Sequence, residues 1–319
     1  MTETKSKRIP FDADLVGRLV ASQFPQWAHL PVRPVTFGGK NNTTFHLGET
    51  MSVRLPSARH YVAQVEKEQA WLPRLAPHLP LPIPEPVGLG GPGEGYPWPW
   101  SVYRWIEGET AALDRIPDLP QFARDLAGFL VALQALDVTD GPVAGQHNFF
   151  RGGPLATYDD QTRQAITDLG HSIDGATALA IWDEAMAAAW TSPPVWLHGD
   201  VAAGNLLVKD GTLSAVIDFG ILGVGDPACD LAISWTLLHG QARAAFREAM
   251  PLDEGTWARG RGWTIWKALI VAAGLPGSSD EERARSRAII ADLVSEHTER
   301  PSPLAGEGGP AEQGRMRGR

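Results

Sequence analysis

Trp196-Leu197-His198-Gly199-Asp200-Val201-Ala202-Ala203-Gly204-Asn205-Leu206-Leu207-Val208, followed after a short gap by Ala215-Val216-Ile217-Asp218-Phe219-Gly220, is the stretch that decides how this chain reads. Asp200 and Asn205 stand five positions apart in a loop between apolar, strand-like runs, and Asp218 ends the next such run beyond the turn signal Asp210-Gly211. A hairpin folded at that turn brings two carboxylates and an amide to one mouth. Such a cluster suits phosphoryl transfer, where the protein supplies mainly position and charge: a divalent metal bridges the phosphates and a carboxylate orients the attacking hydroxyl. Asp218 and the Asn205 amide are hard oxygen ligands of the kind magnesium takes, which leaves Asp200 as general base.

The spacing His-x-Asp-x-x-x-x-Asn, followed by Ile-Asp-Phe-Gly, resembles the catalytic and metal-binding loops of protein kinases, and the version with Gly199 resembles the aminoglycoside phosphotransferases. The likeness implies an α+β, bilobal, protein-kinase-like fold: an N-lobe of antiparallel sheet plus helix over residues 1–107, ending in a hinge, and a mainly helical C-lobe over 108–300 that carries catalysis and substrate. It implies Asp200 as catalytic base, Asn205 and Asp218 as magnesium ligands, and His198 as a brace for the loop. Within Gly225-Asp226-Pro227-Ala228-Cys229-Asp230, it implies Asp230 as a support for the catalytic loop. The cosubstrate would be ATP or GTP with Mg2+. The acceptor would be a hydroxyl of a small molecule, such as an aminoglycoside, a macrolide or a metabolite.

The first half of the chain supplies the matching nucleotide side of that resemblance. In Ser52-Val53-Arg54-Leu55-Pro56, Arg54 stands where protein kinases carry the lysine that touches the α- and β-phosphates. Arginine keeps its charge at any pH and grips phosphate through two N–H groups, so the function survives with altered geometry. Glu68 matches the ion-pair partner on the following helix, with Glu66 as the alternative. Trp100 to Gly108 resembles the hinge, with Arg104, Trp105 and Ile106 lining the adenine site. Gly38 and Gly39 sit between two strand-like runs, where glycine backbone can approach phosphate; a plain hairpin turn accounts for the same residues.

Working outward, Leu15, Val16, Leu19 and Val20 have helical spacing behind Asp12 and Asp14. Val32–Phe37, Thr43–Leu47 and Met51–Leu55 read as an antiparallel meander. The pattern from His60 to Ala76 turns helical. Nine prolines between Pro73 and Pro99 then force the chain to run extended or turn. Leu119 to Leu136 carries the stripe of a buried helix, Asp174 to Trp190 is helical, and Ser279 with Glu282 has capping-box spacing before a last helix. From Pro301 to Arg319 apolar residues are nearly absent, and this tail reads as disordered.

A net charge of -9 argues against a nucleic-acid partner and mildly favours a cationic substrate. The single cysteine, Cys229, allows neither an intrachain disulfide nor a cysteine-based zinc site. Neither a secretory signal nor a membrane span is legible, so a cytoplasmic protein is expected. Trp257, Trp263 and Trp266 read as helix packing or as the lining of an acceptor pocket. Asp159-Asp160, Glu248, Asp253-Glu254 and Glu281-Glu282 read as solvated helix faces. Arg54 in place of lysine also admits a second class of function, a non-catalytic kinase-shaped nucleotide binder or regulator. The residues leave the acceptor, the choice between ATP and GTP, and the oligomeric state open.

Overall fold

Alternating apolar residues in the first half pair as expected for a half-buried sheet. The computed structural model describes residues 11–35 and 42–299. The expectations for Gly38, Gly39 and the 301–319 tail lie outside these residues. Helix α1 (Ala13–Gln23) opens the described chain, with the Asp12 carboxylate accepting from the Leu15 N–H at 2.8 Å. Strands β1 (Val32–Pro34), β2 (Asn42–Leu47) and β3 (Met51–Pro56) form the meander. Helix α2 (Val62–Leu75) follows, then β4 (Pro86–Gly90) and β5 (Trp100–Arg104). The antiparallel sheet has the order β1-β2-β3-β5-β4. β4, drawn from the proline-rich stretch, takes the edge, where a missing N–H costs no ladder bond.

Two apolar clusters divide the packing. Val16, Leu19 and Val20 of α1 join Phe45, Leu47, Val53, Leu55, Trp100 and Val102 of the sheet. The larger cluster takes Leu72 and Leu75 from the far end of α2 and everything helical beyond. α2 joins the larger cluster at that end and is bonded to the sheet through Gln69, whose Nε2 donates to Gly88 O and Ser101 Oγ, so its position ties the sheet to the helical region.

Past the short β6 (Glu109–Thr110), α3 (Leu119–Gln134) buries Phe122, Leu126, Phe129, Leu130 and Leu133 along one stripe, as its periodicity predicts. Helices α4 (Asp159–Leu169) and α5 (Gly175–Ala187) precede the strands of the motif region: β7 (Val195–Leu197), β8 (Leu206–Lys209), β9 (Thr212–Val216) and β10 (Gly223–Gly225). The chain ends in α6 (Ile233–Thr236), α7 (Gly240–Ala249), α8 (Glu254–Ala272) and α9 (Asp280–Glu299). The capping box at α9 forms as read: Ser279 N–H donates to Glu282 at 2.8 Å and Glu282 N–H donates to Ser279 Oγ at 3.1 Å.

Trp257, Trp263 and Trp266 lie on α8 at 2%, 3% and 4% exposure, so packing is their first role. The acidic pairs are similarly absorbed into structure. Asp159 accepts from Trp182 Nε1 and Arg163, Asp253 caps α8, Glu254 pairs with Arg247, and Glu281 pairs with Arg285. No helix among the described residues is long and apolar enough to cross a membrane.

Candidate active site

The motif residues meet because four short strands close a circuit. β7 delivers His198, Gly199 and Asp200; the loop returns through Asn205 into β8, which pairs antiparallel with β9 across Asp210-Gly211. Both turn residues have positive φ, 52° and 80°, as a two-residue hairpin of this hand requires. β9 releases Asp218, and the chain then re-enters β10, which pairs back onto β7. A bond from Ile217 N–H to Asn205 O at 2.8 Å fastens the two loops together.

Each loop is held by groups with few alternatives. The buried Asp230 carboxylate accepts from the His198 N–H at 2.8 Å and from the Gly199 N–H at 2.7 Å, one oxygen for each. The His198 ring spans the loops. Its Nδ1 lies 3.2 Å from the Asp200 N–H and its Nε2 lies 3.0 Å from Ile217 O. An N–H can only donate and a carbonyl can only accept, so in this arrangement Nδ1 accepts and Nε2 donates. Gly199 has φ +87°, and a Cβ there would stand 2.7 Å from Ile221 O, so the position excludes every side chain.

Asn205 Nδ2 donates to Asp200 O at 2.9 Å and reaches Asp200 Oδ2 at 3.3 Å. The amide therefore spends its nitrogen on Asp200, and its Oδ1 has no partner among the described residues. Asp218 sits in the left-handed region at φ 65°, ψ 62°, an unfavourable conformation for a non-glycine residue and one concentrated at functional sites. Its Oδ1 accepts from Arg54 Nη2 at 2.7 Å, while Arg54 Nη1 lies 3.4 Å from Glu68 Oε1. Glu68 in turn accepts from the Tyr103 hydroxyl at 2.7 Å. Glu66 is exposed, so of the two candidates for partner to Arg54 it is Glu68 that α2 turns inward.

One guanidinium thus serves two carboxylates, and they respond differently. Burial alone would raise the Asp218 carboxyl, but the close Arg54, through its charge and its hydrogen bond, holds it below its ordinary value. Glu68 is more deeply buried and more loosely paired, so burial prevails and pushes it up. Arg54 loses solvent, yet the two carboxylates together raise it further.

Above these groups a cavity of about 510 Å³ opens between sheet and helical region. Thr44, Ser52, Arg54 and the run Tyr103 to Ile106 line one side; Asn205, Leu207, Ile217 and Asp218 line the other. Arg104 and Trp105 N–H groups are committed to Glu85 O and Thr50 O, and the Arg104 side chain pairs outward with Glu85 at 2.8 Å. Ile106 also lines the cavity, and its backbone has no hydrogen bond among the described residues. Trp105 packs on His46, ring centroids 4.1 Å apart. Asp200 is exposed and stands just outside the cavity lining, reached through Asn205.

Two residues escaped the sequence reading. Lys67 sits beside Glu68 on α2 at 8% exposure, with its Nζ 2.9 Å from Leu222 O and 3.1 Å from His147 Nδ1. Burial pushes its pKa down from 10.5 to about 7 against the pull of Glu68. Between those values the unfolded chain binds a proton that the folded chain does not, so stability rises with pH across the window. Lys67→Met should abolish this slope. In thermal melts the wild type should gain on the variant from pH 7 toward 10.5, and a pH-independent difference would contradict the assignment. Arg151, the second residue, contacts Gly199 O at 3.1 Å.

Comparison with known proteins agrees with this geometry. Residues 32–263 match the model of the phosphotransferase enzyme family. An aminoglycoside 3'-phosphotransferase from Escherichia coli is 31% identical over 140 residues, 42% of this chain and 50% of that protein. The chain therefore matches about half the length of that curated relative. Among solved structures, APH(2")-IIia in complex with GDP and kanamycin superposes with a TM-score of 0.70 at 18% identity, covering 88% of this chain and 98% of that one. The macrolide 2'-phosphotransferase MphH from Brachybacterium faecium gives a TM-score of 0.55 at 21% identity over 88% and 98% of the two chains. The sheet-plus-helix first half and helical second half are thus the kinase-like fold of these enzymes, and the chain belongs to the phosphotransferase enzyme family.

Proposed function

We propose that the protein transfers the γ-phosphoryl group of ATP or GTP to a hydroxyl of a small molecule. The observation that carries this reading is the convergence of Asp200, Asn205 and Asp218 at the edge of one cavity, with Arg54 bonded to Asp218 across it. The triphosphate would lie in the cavity, its base toward Ile106 and its phosphates toward Arg54. Asp200 accepts the hydroxyl proton and holds the oxygen in line with the phosphorus.

The donor set fits magnesium. Among the described residues no group of three or more His, Cys, Asp or Glu forms a self-sufficient metal site. Magnesium needs none, since it binds through one or two protein oxygens plus phosphates and water. Asp218 and the unshared Asn205 Oδ1 would hold it, and when bound it neutralises charge on the transferring phosphoryl group. Arg54, now resting on Asp218, remains tied to Glu68 and would turn toward the phosphates. The family's aminoglycoside and macrolide enzymes make such hydroxyl compounds the first acceptors to try, beside metabolites. A non-catalytic nucleotide binder is the weaker reading, because all three chemical positions hold competent groups in register. Radiolabelled ATP and GTP should each be offered with Mg2+ to pooled aminoglycosides, macrolides and hydroxyl metabolites. Transfer to one pool is expected; tight nucleotide binding with neither transfer nor hydrolysis would favour the non-catalytic reading.

A further inference from the structure

The Gly199–Asp200 peptide, which aims the proposed base, is held at both polar ends. Its N–H faces His198 Nδ1 at 3.2 Å, and its C=O accepts from Arg151 Nε at 3.1 Å. Asp230 secures the preceding amide. Gly199 lacks a Cβ and rotates more freely than any other residue, so without a clamp on its carbonyl this peptide is the softest link before Asp200.

Arg151 is itself mounted with unusual care. Its guanidinium carbon lies 4.8 Å from the Trp263 ring centre and 5.0 Å from that of Trp266, an attraction between cation and ring face that strengthens when water is excluded. Trp266 is stacked on Tyr158, centroids 4.1 Å apart, and is tied by its Nε1 to Gln161 at 2.9 Å. Tyr158 donates its hydroxyl to Phe149 O at 2.8 Å, and Arg151 Nη1 reaches the same carbonyl at 3.3 Å. The turn that presents Arg151 holds two successive left-handed residues, Phe149 at φ 50° and Phe150 at φ 54°. Both are strained conformations for a non-glycine residue, and such strain persists only when surrounding contacts over-determine it.

We propose that Arg151 is a positioning residue for phosphoryl transfer, clamping the carbonyl that precedes Asp200, and that Trp263 and Trp266 of α8 are the platform that keeps its guanidinium in place. The proposal rests on Asp200 as base, so Asp200→Asn is assayed in parallel. Arg151→Ala is expected to lower kcat by about a hundredfold through misaimed chemistry and to leave nucleotide affinity unchanged. Turnover is read as transfer to the acceptor found in the pooled screen, or as nucleotide hydrolysis by water. Methylguanidinium, below concentrations that unfold the protein, should restore part of kcat. Amide exchange should quicken in residues 198–205 while the rest of the C-terminal half is unchanged.

Arg151→Lys keeps a cation over the rings without the fork and should fall between. Should Arg151→Ala fail to fold, Trp266→Phe weakens the platform with less disruption and should show the same kcat loss in milder form. Full kcat in Arg151→Ala, or unaltered exchange in 198–205, overturns the clamp. Full turnover in Asp200→Asn overturns the base assignment instead.

Discussion

Asp200→Asn is expected to lower kcat by about 10²- to 10⁴-fold, the usual worth of a positioned general base, with nucleotide affinity intact. The separation follows from geometry. Asp200 is exposed and stands outside the cavity lining, whereas Asp218 and Arg54 line it. Its loop is anchored through backbone amides to Asp230 and His198, not through its own carboxylate alone. The substitution removes a proton acceptor while preserving shape, and one Asn205 contact at 3.3 Å is the local loss. Calorimetric titration of nucleotide beside steady-state turnover makes the comparison, and a joint loss of binding and turnover would place Asp200 among the nucleotide ligands.

Asp218→Asn should behave differently, losing Mg2+-dependent nucleotide affinity and about 10²- to 10³-fold in turnover, in line with the removal of one charge-stabilising contact. It also leaves Arg54 with Glu68 alone at 3.4 Å. A fully buried ion pair broken on one side costs about 3–5 kcal/mol, but Arg54 and Asp218 keep 16% and 24% side-chain exposure, so about 1–3 kcal/mol is expected. The sign with pH is fixed by the depressed Asp218 carboxyl. Its stabilisation is fully present above the ordinary carboxylate value of 3.8 and is lost as pH falls through the lower folded-state value. Denaturant melts should therefore show the deficit of the variant at neutral pH and its disappearance in acid. Magnesium-dependent binding undiminished in the variant would overturn the proposal that Asp218 holds the metal.

Both experiments probe groups whose closeness could be read from the chain, because one hairpin separates them. Asn205 and Asp218 need only the turn at Asp210-Gly211 to meet, and the capping box at Ser279 needs only one helical turn. Periodicity likewise locates α3 and the meander of β1, β2 and β3, whereas β4 lies in a stretch whose prolines said only that it is extended or turning. The tryptophans of α8 could be placed on a helix but not assigned a neighbour: Trp263 and Trp266 lie more than a hundred positions from Arg151, and their meeting depends on how α8 packs against the turn at 149–151.

The sequence by itself determined which chemical groups exist and the local order that lets two carboxylates and an amide share one mouth. Tertiary structure alone decided that Glu68 faces Arg54 while Glu66 faces water, that Lys67 is buried against Leu222 and His147, and that Arg151 grips the peptide before Asp200. The physical reason is range. Hydrogen bonding along a helix or across a tight turn is encoded within a few residues, whereas the burial of a lysine or the clamping of a carbonyl depends on which distant surfaces exclude water together.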